Sequence, residues 1–303
     1  MSHIVIIGSI SMDLVMETSR LADEGQTVFG DRFSMVPGGK GANQAVAVGR
    51  LSNSQDKIEI FGNVGQDTFG PILKENLSKN HLFVDHVGTV PSSSGIAQIT
   101  LFEQDNRIIY CPGANGLVDT SKWEGEWKAI ESADLLILQN EIPHEANLAI
   151  AAFCRDKGVK VLYNPAPARE TDLEMIPHVD YVTPNQHECL ELFPGRSLED
   201  LLQDYPNKLI VTLGKEGAIY HNGEQLEQIP ALLAEAVDTT GAGDTFNGAF
   251  GYALAKGLEI KEAIRFATLA SHLSVQKFGA QGGMPTLEEM KGHKDYEENW
   301  NFK

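Results

Sequence analysis

A chain of 303 residues, 42% hydrophobic and 22% charged, has the makeup of a globular protein with one large core, and no low-complexity tract or internal repeat interrupts it. Its formal net charge of −18, with no stripe of lysine or arginine, excludes general attraction to nucleic acid, so an anionic ligand must be held by backbone amides, a helix N-terminus, a few lysines and a metal ion. Cys111, Cys154 and Cys189 are too few and too widely spaced for a disulfide framework or a structural zinc site, no apolar run approaches the ~20 residues that span a bilayer, and the start lacks the features of a signal peptide, so a cytoplasmic protein with no membrane partner is expected.

In chain order, His3 to Gly8 reads as a buried strand and Gly41 to Leu51 as a helix whose small residues let it lie close on a sheet. Lys57 to Phe61 predicts the next strand, and Thr68 to Asn80 the next helix, with Asp67 as its cap. The pattern repeats with strand Asp134 to Gln139, helix Pro143 to Lys157, strand Val159 to Tyr163, strand Tyr181 to Thr183, helix Gln186 to Phe193 and strand Lys208 to Leu213. Such alternation specifies a parallel sheet with helices on its faces. Two stretches break it, Asp13 to Val36 and Gly95 to Cys111, which show β alternation without helices and a turn at Gln104-Asp105-Asn106; they predict a small projecting sheet. Gly217 to Ile229 predicts a hairpin turning at Asn222-Gly223, and two helices, Asp244 to Lys256 and Ile260 to Lys277, follow.

Asp238-Thr239-Thr240-Gly241-Ala242-Gly243-Asp244 is a glycine loop running into a helical period. Small residues at 241 to 243 expose successive amide N–H groups where the helix dipole is positive, which suits an oxyanion that gains charge during a reaction. Asp244, in the first turn, is the candidate base for an attacking hydroxyl. The same residues also fit a tight turn with a capping aspartate, and the sequence alone leaves both readings open. Pro37-Gly38-Gly39-Lys40-Gly41-Ala42-Asn43 brings backbone close to a ligand, with Lys40 as a mobile charge and Asn43 as an amide for hydroxyl groups, a set that suits a polyol. Lys40 is followed by glycine and not by Ser or Thr, so a Walker-type loop is excluded, and a solvated lysine in a plain loop is the alternative. Ser11 and Asp13 follow the first strand, at the edge where open parallel sheets place their ligands, although a turn aspartate fits there as well. The dinucleotide fingerprint is missing after that strand, which argues against a dehydrogenase.

Together these segments resemble the ribokinase-like family of carbohydrate kinases, from His3 to about Pro285. Gly38 to Ala45 is similar to the family's N-terminal signature, Asp238 to Gly248 to its C-terminal one, and Asn164 to Arg169 adds a third match. The resemblance implies a three-layer α/β/α fold in one domain over residues 1–303, with a β-sheet lid formed by about 13–36 and 95–111 that often doubles as a homodimer interface. It implies transfer of phosphate from ATP to a primary sugar hydroxyl, D-ribose giving D-ribose 5-phosphate. A kinase for 2-deoxyribose, fructose or a ribonucleoside, or a non-catalytic sugar-sensing protein of the same fold, stands as the alternative.

Carried over residue by residue, the catalytic set is Asp244 with Gly241, Ala242 and Gly243, and the sugar set is Ser11, Asp13, Gly39, Lys40, Asn43, Ala97, Ile99, Glu141 and Asp244. The nucleotide set is Asn185, Glu188, Thr212, Gly214, Gly217, Gly243 and Thr268, with Glu188 placing Mg2+ through water. A K+ site would use Asp238, Thr240, Ser274, Lys277, Gly279 and Gly283. Two positions depart from the family pattern: Ser11 stands where Asn is common, which bears on the sugar chosen, and Gly283 stands where Ser is usual, which removes one side-chain ligand of the cation.

Overall fold

The computed structural model describes residues 1–102, 105–233, 235–300 and 302. In chain order the elements are β1 (His3–Ile7), β2 (Ser11–Glu17), β3 (Arg32–Gly38), α1 (Lys40–Leu51), β4 (Lys57–Gly65), α2 (Phe69–Lys79), β5 (Val87–Val90), β6 (Gly95–Phe102), β7 (Asp105–Cys111), α3 (Glu126–Glu131), β8 (Leu135–Gln139), α4 (His144–Lys157) and β9 (Lys160–Asn164). The second half contributes β10 (Tyr181–Val182), α5 (Gln186–Leu192), α6 (Leu198–Asp204), β11 (Ile210–Thr212), β12 (Ala218–His221), β13 (Leu226–Ile229), α7 (Ala242–Ala255), α8 (Ile260–Ser274) and α9 (Leu287–Lys291).

Six parallel strands in the order β10-β9-β8-β1-β4-β5 form the main sheet. Parallel bridges from Val182 to Leu209 and from Asn185 to Thr212 join it to the antiparallel β11-β12-β13, so nine strands make one layer. The central strands feed both faces: Ile4, Ile6, Leu135 and Ile137 pack with α1, α2, α7 and α8, while Val5, Ile7, Leu136 and Leu138 pack with α4, α5 and α6. A strand buried on both sides has no polar face, which is why β1 and β8 read as continuous apolar runs. Helices on both faces of a mostly parallel sheet are the three-layer α/β/α arrangement that the sequence predicts.

The two stretches without helices form a separate sheet of order β3-β2-β6-β7, in which β2 and β6 run parallel and the outer pairs antiparallel. It starts nearer the motifs than expected: Ser11 pairs with Gly38 and Gly95. Of the turn predicted at 104–106, Gln104 lies outside the described residues, although Phe102 pairs with Asp105 across it.

Three boundaries differ most from expectation, the first being the strand expected to end at Phe61, which runs on to Gly65. The helix expected to reach Lys277 stops at Ser274, because the Val275 carbonyl accepts from the N–H groups of Val237 and Asp238 (2.8 and 3.2 Å) and the chain leaves the helical path. The strand expected over 208–213 is trimmed to Ile210–Thr212. Short α3, α6 and α9 carry too few turns to leave a period in the sequence, and they lie outside the expected set. Among the described residues no helix is long and apolar enough to cross a membrane.

Candidate active site

The candidate residues converge at the carboxyl edge of the main sheet, where β1 passes into Ser9, β8 into Glu141 and β9 ends at Asn164, with the N-termini of α1 and α7 above them. Gly39, the residue before α1, has φ 89°, a left-handed conformation that glycine adopts without penalty, and a side chain there would stand 2.9 Å from the Ser11 amide. Its neighbour Gly38 faces Asp13 so closely that an added Cβ would lie 2.4 Å from the carboxylate. The glycines thus let the corner of β1 and β2 close against the start of α1. Glu141 completes the join: one carboxylate oxygen accepts from the Ser9 hydroxyl at 2.5 Å and from the Lys40 amide at 2.9 Å.

α7 begins after Gly241, whose φ of 76° is again left-handed and whose hydrogen side rests on Ala280. Among the described residues no acceptor takes the N–H of Gly243 or Asp244, and a Cβ on Gly243 would meet no protein atom within 4 Å. Two donors at the positive end of a helix are therefore unpaired among the described residues. Asp244 is not a cap. Its carboxylate is buried and accepts from Asn43 Nδ2 at 3.0 Å and from Gln44 Nε2 at 3.1 Å.

Electrostatics couple the converging groups. Burial raises the Asp244 pKa above its ordinary value, against the opposing pull of Lys40 and the Asn43 and Gln44 hydrogen bonds. Asp13 is pushed up to about 7 by burial, then by the Glu141 and Asp244 charges. For Lys40 burial works to lower the pKa, but Asp244, Glu141 and Glu188 together raise it, so the ammonium stays charged among carboxylates. Glu188 is itself raised by burial, with Lys40 opposing.

Asn185 and Glu188 open α5 as a reciprocal cap, the Asn185 side chain accepting from the Glu188 N–H at 2.9 Å and the Glu188 carboxylate from the Asn185 N–H at 2.8 Å. Thr212 is bridged to Asn185, and Gly214 and Gly217 carry the turn into β12 with φ of 59° and 95°. Thr268 on α8 lines a cavity of about 320 Å3 with Ile229, Pro230, Leu232 and Leu269. Ala97 pairs with Asp13 across the small sheet, and Ile99 with Val15, so both lie on the Asp13 face.

Behind α7, Asp238 accepts from the N–H groups of Thr240 and Gly279, both at 2.9 Å, and so ties two loops together. A Cβ on Gly283 would stand 2.0 Å from the Ser274 carbonyl oxygen, so a carbonyl occupies the room that the serine expected there would need. The Lys277 ammonium pairs with Glu289 at 2.8 Å.

Buried amides supply what the motifs did not disclose. Gln139 Nε2 donates to Gln44 Oε1 at 2.7 Å, and Gln44 Nε2 bonds Asn164 Oδ1 at 3.1 Å as well as Asp244. Gln281 donates to Asn43 Oδ1 at 2.9 Å, and Asn247 to the Gly243 carbonyl at 2.9 Å. Gln44, Asn164 and Asn247 lie inside the three matched segments, whereas Gln139 and Gln281 lie in none of them.

A buried carboxylate held by two amides beside unpaired helix donors, with a lysine whose charge couples to it, has the chemistry that phosphoryl transfer to a hydroxyl calls for, and the class it points to is that of the carbohydrate kinases. Residues 1–287 match the pfkB family of carbohydrate kinases, and the chain belongs to that family. It is 60% identical to a ribokinase of Lactococcus lactis subsp. lactis, over 96% of each chain. It is 44% identical to a ribokinase of Bacillus subtilis, over 96% of this chain and 99% of that one. Among solved structures, the Thermotoga maritima ribokinase superposes with a TM-score of 0.86 at 33% identity, covering 95% of this chain and 98% of the other. The Arabidopsis thaliana ribokinase complexed with ribose and ATP gives 0.85 at 30% identity, covering 95% and 96%.

Proposed function

We propose that the protein phosphorylates D-ribose at its primary hydroxyl, using ATP and releasing ADP. The observation that carries this reading is the Asp244 carboxylate, oriented by two amides beside the free N–H groups of Gly243 and Asp244. The sugar hydroxyl passes its proton to Asp244, its oxygen bonds to the γ-phosphorus, and the bond to the β,γ-bridging oxygen breaks as ADP leaves. The helix donors hold the charge that grows on the phosphoryl oxygens, and Lys40 adds its own. Asp13, Asn43 and Glu141 hold the sugar.

The nucleotide would lie over Asn185, Thr212 and Gly214, toward Thr268. Magnesium fits beside Glu188, whose second oxygen has no protein donor among the described residues, and it would offset phosphate charge. Potassium fits behind the cradle, with Asp238 and the carbonyls of Thr240, Ser274, Lys277 and Gly279 as an oxygen set.

The small sheet serves as a lid that keeps water, a competing nucleophile, from the phosphate. Its far face exposes Met16, Phe33, Met35 and Ile109, the last at 71%, which suits contact with a second copy of the chain. A preference for 2-deoxyribose is the second reading. It is favoured by Ser11, whose hydroxyl is already held by Asn115 at 3.0 Å.

The test is ADP release measured across D-ribose, 2-deoxyribose, fructose and ribonucleosides, with and without K+, for the unsubstituted chain and for Asp244→Asn. D-ribose is expected to give the highest kcat/KM, and the amide variant to lose about 10²–10⁴ in kcat while still binding sugar. No ADP release with any acceptor would refute the reading.

A further inference from the structure

Asn115 fixes the geometry of one wall of the sugar pocket. Its Oδ1 accepts from the Ile10 amide at 2.9 Å, which dictates which way the side-chain amide is turned. The Nδ2 hydrogens then point at two hydroxyls, Ser11 Oγ and Tyr110 Oη, each at 3.0 Å. Asn115 itself is fully buried, so this arrangement is rigid. Tyr110 acts as an acceptor toward Asn115, and its own proton is free for another partner. Ser11 also hydrogen-bonds the phenol, and because it acts as a donor there it leaves that proton for a further acceptor.

The small sheet aims that proton. Across its strands Val36, Asp13, Ala97 and Tyr110 form one row, and directly paired residues share a face. Tyr110 therefore stands on the same side as Asp13, two strands away, with only the short Ala97 between them. Burial, followed by the Glu141 charge, pushes the phenol up to about 12, which keeps it neutral and a donor at any working pH.

From this geometry we infer that Tyr110 is a specificity-determining residue: its hydroxyl donates a hydrogen bond to one secondary hydroxyl of the sugar. The inference rests on the sugar-kinase reading and names a polyol contact that neither glycine motif contains. A site that has lost its only acceptor leaves a half-buried phenol unpaired, so a sugar lacking that hydroxyl is discriminated against.

The experiment compares KM and kcat of the unsubstituted chain, Tyr110→Phe and Tyr110→Ile on D-ribose, 2-deoxyribose and 3-deoxyribose. With D-ribose both variants are expected to raise KM about tenfold and to keep kcat within about twofold. One deoxy sugar, the one missing the contacted hydroxyl, is expected to show the same KM with all three proteins. A tyrosine that only packs would change all three sugars alike, and that result, or no change with D-ribose, overturns the inference. Absence of turnover by the unsubstituted chain overturns the proposed function first and the inference with it. Should the Ile variant not fold, the Phe variant, which keeps the whole ring, decides the matter alone.

Discussion

Asp244 sits where its charge is least welcome, in a buried position, and the base role proposed for it depends on the groups that keep it ionised. Gln44 is one of them, since its hydrogen bond lowers the Asp244 pKa against the effect of burial. Gln44→Ala removes that bond and should raise the pKa further, so the acid limb of the kcat profile should move to higher pH. A profile that keeps its position with lower amplitude would mean that Gln44 only packs. At this scale the sequence disclosed which charged and amide groups meet, because Lys40, Asn43 and Asp244 stand in glycine-marked loops that the fold brings together. It did not disclose Gln139, Gln281 or Tyr110, nor that Asn164 of the third matched segment would meet Gln44. Their partners come from other strands and helices, and no local spacing encodes a contact made across the fold.

At the scale of elements, strong periods were legible and short ones were not. β1, β8, α1, α4, α7 and α8 fall within a few residues of expectation, because each buries a full stripe or run of apolar side chains. The end of α8 was misjudged because Val237 and Asp238 compete for the Val275 carbonyl from a distant loop. Packing at that end also bears on the proposed cation site, and in a way that a missing ligand alone would not. Gly283→Ser would restore the residue usual in the family, but its Cβ would collide with the Ser274 carbonyl at 2.0 Å. The variant should therefore lose stability, by about 1–3 kcal/mol for such overpacking, and should not strengthen any response to K+. Thermal melting and ADP release at several K+ concentrations would show both effects, and a serine variant as stable as the parent, with sharper K+ activation, would contradict the packing argument.

For the whole molecule, the sheet edge opposite the active site carries a buried acid. Glu59 on β4 accepts from His3 at 2.5 Å and Lys57 at 2.9 Å, with His86 at 3.6 Å. Burial alone would raise its pKa, but the hydrogen bonds from His3 and Lys57 bring it down to about 2 from the ordinary 4.5. A depressed carboxylate contributes stability above its unfolded value, and loses it as pH falls through the folded one. The protein should thus lose stability between about pH 4.5 and pH 2, and Glu59→Gln should flatten that part of the curve while lowering stability near neutrality. Urea midpoints across the acid range would check it, and parallel curves for the two proteins would exclude Glu59 as the source.

The strand order has a kinetic consequence. β1 lies inside the sheet, and its partners come from far along the chain: His3 pairs with Lys57, and Ile4 with Leu135. Both flanks of the most apolar strand must therefore wait for distant segments to arrive, and each arrival pays for a long loop closure before any contact rewards it. Refolding from denaturant should be slow and sensitive to protein concentration, because a waiting β1 offers unpaired backbone to any neighbouring molecule.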